Sequence, residues 1–223
     1  MIESPTIRIE PPADLGPLEA ALRRVGEFDW LVLTSPNGVA AVLDRLDALG
    51  LDGRALGGVK IAAVGAATAA TLAERFIKAD LVPAEFTTDA LASALTSAGP
   101  LTGKRMLLAR ADIAPPALAE ALTVAGAKLD EVVAYRTVRP DSLGEDAGAA
   151  LKDRRVDWIT FTSSSTVENF LALAGELDLS GVKLAAIGPV TAATLQAAGL
   201  TPTVVAQTHT IDALVEAMAA FGA

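Results

Sequence analysis

Two stretches of this chain read almost identically: VKIAAVGAATAATL from Val59 to Leu72 and VKLAAIGPVTAATL from Val182 to Leu195. Each sets a Gly and a Thr at the same spacing, Gly65 with Thr68 and Gly188 with Thr191. The likeness extends outward. FDWLVLTSPNGVAAVLDRL (Phe28 to Leu46) answers VDWITFTSSSTVENFLALA (Val156 to Ala174), and LVPAEFTTDALASAL answers VVAQTHTIDALVEAM without a gap. In every block a short apolar run, rich in β-branched residues, feeds a helical pattern, which is the signature of buried parallel strands alternating with helices. Two copies at so long a period exclude a solenoid and predict two similar α/β domains with helices on both sheet faces.

One further strand–helix–strand unit occurs once, in GKRMLLARADIAPPALAEALTVAGAKLDEVVAYRTV, with a strand at Arg105 to Ala109, a helix after Pro115-Pro116 and a stop at Gly126. The opening TIRIEPP reads like the closing strand of a second, absent copy of that unit. Thr6 to Glu10 and Val132 to Val138 are therefore expected to be connecting strands paired with each other. The expected organisation is a connecting strand at 1–12, a first α/β domain at 13–130, a second connecting strand at 131–139, and a second α/β domain at 140–223.

Composition narrows the function. Of the 223 residues, 52% are apolar, enough to build packed cores. No run approaches the roughly 20 apolar residues needed to span a bilayer. MIESPTIRIEPP lacks the basic start and apolar core of a secretory signal, so a cytoplasmic protein is expected. With no Cys and a single His, thiolate chemistry is excluded and neither a metal site nor a cofactor is expected. The net charge of −9 argues against nucleic acid, whose phosphates need a basic face.

In order along the chain, TSPNGV, VGAATAATL, AYRTV, FTSSSTVENF, AAIGPVTAATLQAAGL and THTIDALVEAM together resemble uroporphyrinogen-III synthase. The resemblance implies two flavodoxin-like domains joined by a two-stranded ladder, with a tetrapyrrole bound in the cleft between them. It implies cyclisation of the linear tetrapyrrole hydroxymethylbilane, with inversion of the last ring and loss of water. That is a carbon–oxygen lyase reaction of haem biosynthesis needing no cofactor. A monomer, taking its substrate from hydroxymethylbilane synthase, is expected. The chain departs from the family in two places. The usual opening, a strand, an RP turn and a helix, is absent, which removes one strand–helix unit from the second domain. Phe76 stands where the repeat has Gly199, a residue suited to a helix C-terminal turn. Two rival readings are a non-catalytic tetrapyrrole-binding or regulatory relative and a two-domain small-ligand binding module, the latter disfavoured by the missing export signal.

An acidic protein can hold a substrate with eight carboxylates only through local contacts. Helix starts at the carboxyl ends of parallel strands supply them, as unpaired N–H groups and the positive end of the helix dipole. Gly65 and Gly188 would let a carboxylate approach the main chain, and Thr68 and Thr191 would add a hydroxyl, although Thr at a helix start also serves simply as a cap. Ser35 and Ser163 are open to the same two roles, with Ser164 beside the latter. Ser165, three residues before Glu168, reads as a capping box, and Asn37 and Gly38 read as turn residues. The resemblance marks Tyr135, the only Tyr in the chain, as proton donor for the departing hydroxyl. The alternative is a half-buried strand aromatic with its hydroxyl satisfied. Arg110 closes a strand and suits either a substrate carboxylate or a surface ion pair. His209 lies opposite Phe86 in the other repeat, which disfavours an essential chemical role. Trp30 and Trp158 hold matching strand starts, where packing accounts for both.

Overall fold

The strand Trp30–Leu33 (β2), with a paired strand on each side and helices over both faces, is buried at all four positions. In the computed structural model, which describes residues 1–175 and 177–221, β2 pairs in parallel with Lys60–Ala63 (β3) and with Arg105–Ala111 (β4). β4 in turn pairs in parallel with Lys128–Val138 (β5), and Arg8–Glu10 (β1) lies beyond β5, giving the order β1-β5-β4-β2-β3. The stretch expected as two pieces, the end of a domain and a connector, is thus one eleven-residue strand.

The strand alternation sorts the core. Leu31 and Leu33 join Leu107 and Ala109 in one cluster, under Gly16–Arg23 (α1), Pro36–Ala48 (α2) and Ala66–Glu74 (α3). Trp30 and Val32 join Met106 and Leu108 in another, under Thr88–Ser97 (α4) and Ala117–Val124 (α5). Both faces of the sheet are therefore covered at its centre, along β2 and β4, as parallel strands require. Truncating a fully buried residue such as Leu31 to Ala would cost about 3 kcal/mol. Asp29 ties β4 to the start of β2: Lys104 Nζ donates to it at 2.7 Å and the Arg105 N–H at 2.9 Å, and both hold its carboxyl below the usual range.

The chain divides into two compact units, Ile9–Thr137 and Met1–Arg8 with Val138–Ala223. The second contains Glu145–Lys152 (α6), Trp158–Phe161 (β6), Ser164–Ala174 (α7), Lys183–Ala186 (β7), Pro189–Ala197 (α8), Val204–Val205 (β8) and Ile211–Phe221 (α9). Residues 176, 222 and 223 of the expected second domain lie outside the described residues. Its parallel sheet has three strands in the order β6-β7-β8. Phe161, Leu184 and Ala186 pack with Leu151, Val167, Phe170 and Leu195 on one face, while Ala185 packs with Ala206 and Leu214 on the other.

β6 is the repeat partner of β2, yet only Phe161 of its four residues is buried. Among the described residues nothing occupies the place beside β6 that β4 takes beside β2. Trp30 and Trp158 keep a shared packing arrangement: Lys60 Nζ lies 5.5 Å from the Trp30 ring centre and Lys183 Nζ 5.3 Å from that of Trp158. Phe221 meets Trp158 edge-on, with ring centres 5.7 Å apart.

Three local expectations are corrected. LVPAEF forms a single bridge, Ala62 to Leu81, instead of a strand, and Pro83 offers no N–H to extend it. Asn37 and Gly38 lie in the first turn of α2, not in a turn. The cap of α7 is Ser163, whose hydroxyl accepts the Thr166 N–H, so Ser165 is already inside the helix.

Candidate active site

Parallel pairing brings strand ends level. Leu33 stands opposite Ala63 and Ala109, and Ala111 opposite Tyr135, so Ser35, Gly65, Arg110 and Tyr135 collect along the carboxyl edge of one sheet. In the other unit Phe161 is level with Ala186, and Ala186 with Val205, which collects Ser163, Gly188 and His209 along the corresponding edge.

Tyr135 owes its place to an irregularity. β5 pairs with β4 up to Arg110 opposite Val133, then resumes with Ala111 opposite Tyr135, leaving Ala134 as an extra residue. Val133 is 41% exposed, and strict alternation would expose Tyr135 with it. The bulge turns Tyr135 inward instead, to 7% exposure. Its hydroxyl lies 2.9 Å from Ser35 Oγ, which also accepts the Gly38 N–H at 3.0 Å and so caps α2. Gly38 is tightly enclosed: a Cβ there would lie 3.3 Å from Ser35 Oγ and 3.4 Å from the Ala109 carbonyl oxygen, and 3.9 Å from the Tyr135 ring. Tyr135 also borders a cavity of about 260 Å³, with Asn37, Ala41, Arg45 and Glu10 among its walls. A groove of about 490 Å³ along α5 includes none of these residues, and Glu120 and Glu131 make it unsuited to an anion.

Arg110 is 6% exposed and engaged. Its Nε donates to Glu131 Oε1 at 2.8 Å, and its Nη1 donates to the Pro115 carbonyl. It joins β4 to β5 just ahead of the bulge.

Gly65 and Gly188 are the caps of α3 and α8, and neither helix start has a side-chain cap. Both glycines are extended, with φ of −171° and −176°, a conformation any residue adopts. What demands Gly is the ring above it. A Cβ at Gly65 would lie 3.0 Å from Phe86, and one at Gly188 only 2.6 Å from the His209 ring. Thr68 and Thr191 stand in the first turns of α3 and α8, 2% and 4% exposed. Neither hydroxyl has a hydrogen-bond partner among the described residues, and neither is sealed from solvent, so capping does not account for them. Ser163 and Ser164 belong to a hydroxyl cluster: Ser163 Oγ lies 2.7 Å from Thr166 Oγ1, and Thr194 donates to Ser164 Oγ at 2.8 Å.

Sequence reasoning missed the bulge, which leaves no mark in an apolar run. It also passed over the rings above the glycines, whose signal was available in the equal spacing of Gly65 to Phe86 and Gly188 to His209.

The model of the family described as uroporphyrinogen-III synthase HemD matches residues 1–216. A uroporphyrinogen-III synthase of Synechococcus elongatus is 38% identical over 98% of this chain and 84% of its own length. Among solved structures, the uroporphyrinogen-III synthetase of Helicobacter pylori is similar in fold, with a TM-score of 0.65 at 23% identity, over 96% of this chain and 90% of that one. A uroporphyrinogen III synthase of Thermus thermophilus gives 0.60 at 24% identity, over 98% and 87%. An α/β fold of parallel sheets, the ordered helix starts and a match along nearly the whole length place the chain in the uroporphyrinogen-III synthase family.

Proposed function

We propose that this chain cyclises hydroxymethylbilane to uroporphyrinogen III, with Tyr135 as the proton donor. The hydroxymethylpyrrole expels its hydroxyl with help from its own ring nitrogen. The C–O bond breaks, the hydroxyl leaves as water on taking a proton, and the freed carbon bonds to the last ring; the link from that ring to the third breaks and re-forms at its other α-carbon, which gives up its proton. Little is asked of the protein beyond one proton and the folding of a flexible substrate into one bent shape, which is catalysis by orientation. The observation that carries the role of Tyr135 is its pairing with Ser35. Ser35 Oγ already accepts the Gly38 N–H, so its own proton can point to the tyrosine oxygen and leave the phenol proton for the leaving group.

In this reading the first turns of α3 and α8 bind substrate carboxylates through free N–H groups, with Thr68 and Thr191 beside them and Ser163 and Ser164 close by. Gly65 and Gly188 shape those turns by admitting the rings of Phe86 and His209. Arg110 acts indirectly, fixing β5 through Glu131. The chain is read as two flavodoxin-like domains, 13–130 and 140–223, with connecting strands at 1–12 and 131–139. It works as a cytoplasmic monomer supplied by hydroxymethylbilane synthase.

A second reading, a non-catalytic tetrapyrrole-binding relative, is favoured by the three-stranded sheet, in which no described strand pairs with the outer edge of β6. Incubation with hydroxymethylbilane, followed by separation of the porphyrin isomers, distinguishes the two. Isomer III supports the synthase, and isomer I alone, the product of spontaneous closure, overturns it.

A further inference from the structure

The two repeats differ chemically at one matched point beside their helix starts. Over Gly65 lies the Phe86 side chain, its Cβ, Cγ and Cδ1 about 3 Å from where a Cβ would stand. Over Gly188 lies His209, with Cδ2 at 2.6 Å and Nε2 at 2.7 Å from the equivalent point. Phe86 can only pack. His209 also brings a nitrogen to the same place and is itself exposed, with no hydrogen-bond partner among the described residues.

Three features converge there. Pro189 opens α8 and has no N–H, so the free donors of the first turn fall to Val190 and Thr191. Thr191 is 4% exposed, and its hydroxyl, without a hydrogen-bond partner among the described residues, reaches solvent at the same helix start. The imidazole edge rests on Gly188, the cap of that helix. Backbone N–H, hydroxyl and imidazole N–H are all donors able to serve one carboxylate.

We infer that His209 is a substrate-positioning residue that, with the first turn of α8, binds one acetate or propionate arm of the tetrapyrrole. The inference rests on the synthase reading and adds a group that reading did not need. It also distinguishes the two repeats: α3 offers an anion three backbone N–H groups and Thr68 beneath an apolar ring, whereas α8 loses one N–H to Pro189 and gains a side-chain donor in His209. A substrate whose arms differ in length must be held in one orientation, and unequal grips favour one orientation over its reverse.

The test uses the full chain. His209→Phe installs the other repeat's own solution, keeping a ring over Gly188 while removing the donor, and His209→Gln keeps a donor on a smaller side chain. The expected result for His209→Phe is a KM for hydroxymethylbilane raised about tenfold, the scale of one lost hydrogen bond to a charged group, with kcat within twofold and Tm unchanged. His209→Gln should recover part of the KM. Since the chain has one His, its imidazole NMR signals are unambiguous. They should shift and saturate on titration with uroporphyrin III and stay still with its octamethyl ester.

If the wild-type protein turns over substrate and binds uroporphyrin III, yet the signals do not move and His209→Phe keeps the wild-type KM, the role of His209 is overturned and the synthase reading stands. If the wild type forms no isomer III and binds no uroporphyrin III, both fall together.

Discussion

Ser35 Oγ and the Tyr135 hydroxyl lie 2.9 Å apart, one at the start of α2 and the other on a bulged strand. The same serine caps the helix, so one side chain both anchors a helix start and orients a phenol. Tyr135→Phe is expected to lower kcat about a hundredfold, within the range of a lost general acid, while the affinity for uroporphyrin III stays within threefold. Ser35→Ala should lower kcat about tenfold and, through loss of the cap, cost about 1 kcal/mol of stability. Steady-state kinetics beside a thermal melt separates the two effects. Wild-type kcat in Tyr135→Phe rejects the proton-donor role.

Thr68 and Thr191 are buried, and their hydroxyls have no hydrogen-bond partner among the described residues, a combination a structural Thr does not favour. Thr68→Val and Thr191→Val should each leave stability within about 0.5 kcal/mol of the parent and raise KM severalfold. A lower Tm with unchanged KM would mean that these hydroxyls serve the fold.

Arg110 is held by Glu131 and the Pro115 carbonyl, but Glu131 is 44% exposed, so part of the charge interaction is screened. Arg110→Ala is therefore expected to cost about 2 kcal/mol, below the range for a fully buried pair. KM measured on the folded fraction should change less than threefold. A tenfold rise in KM with intact stability would place Arg110 on a substrate carboxylate.

Phe76 has φ of +60° and is 98% exposed, and its repeat partner Gly199 has φ of +79°. The left-handed conformation strains a side chain that packs against nothing. Phe76→Gly should stabilise the protein by about 1 kcal/mol, raising Tm by about 2–4 °C for a chain of this size. A drop in Tm would reveal a contact that its exposure does not suggest.

The repeat made much of the fold legible. Where two copies agree, as in FDWLVLTS and VDWITFTS, strand, cap and helix follow from one local pattern, and both Ser35 and Ser163 are caps in the structure. Features that depend on a neighbouring strand were not legible. WLVL and WITF look equally buried in sequence, but burial depends on what lies alongside, and among the described residues β2 has a strand on both edges while β6 has one on a single edge. The same holds at the site. The helix starts carrying Thr68 and Thr191 were readable from Gly and Thr spacing. The inward turn of Tyr135 was not, because it comes from a register shift against β4 that no property of AYRTV announces.

Among the described residues β6 pairs along one edge only, and this makes the copies unequal in their kinetics as well. Backbone amides of β6 should exchange with solvent sooner than those of β2, since opening β6 disrupts one ladder and opening β2 disrupts two. Ser163 stands two residues after the end of the looser strand. Any ligand gripping that end must first quiet it, and saturating tetrapyrrole should slow exchange there far more than around Ser35. Protection gained on binding would thus be written mainly into the repeat whose sheet is the narrower.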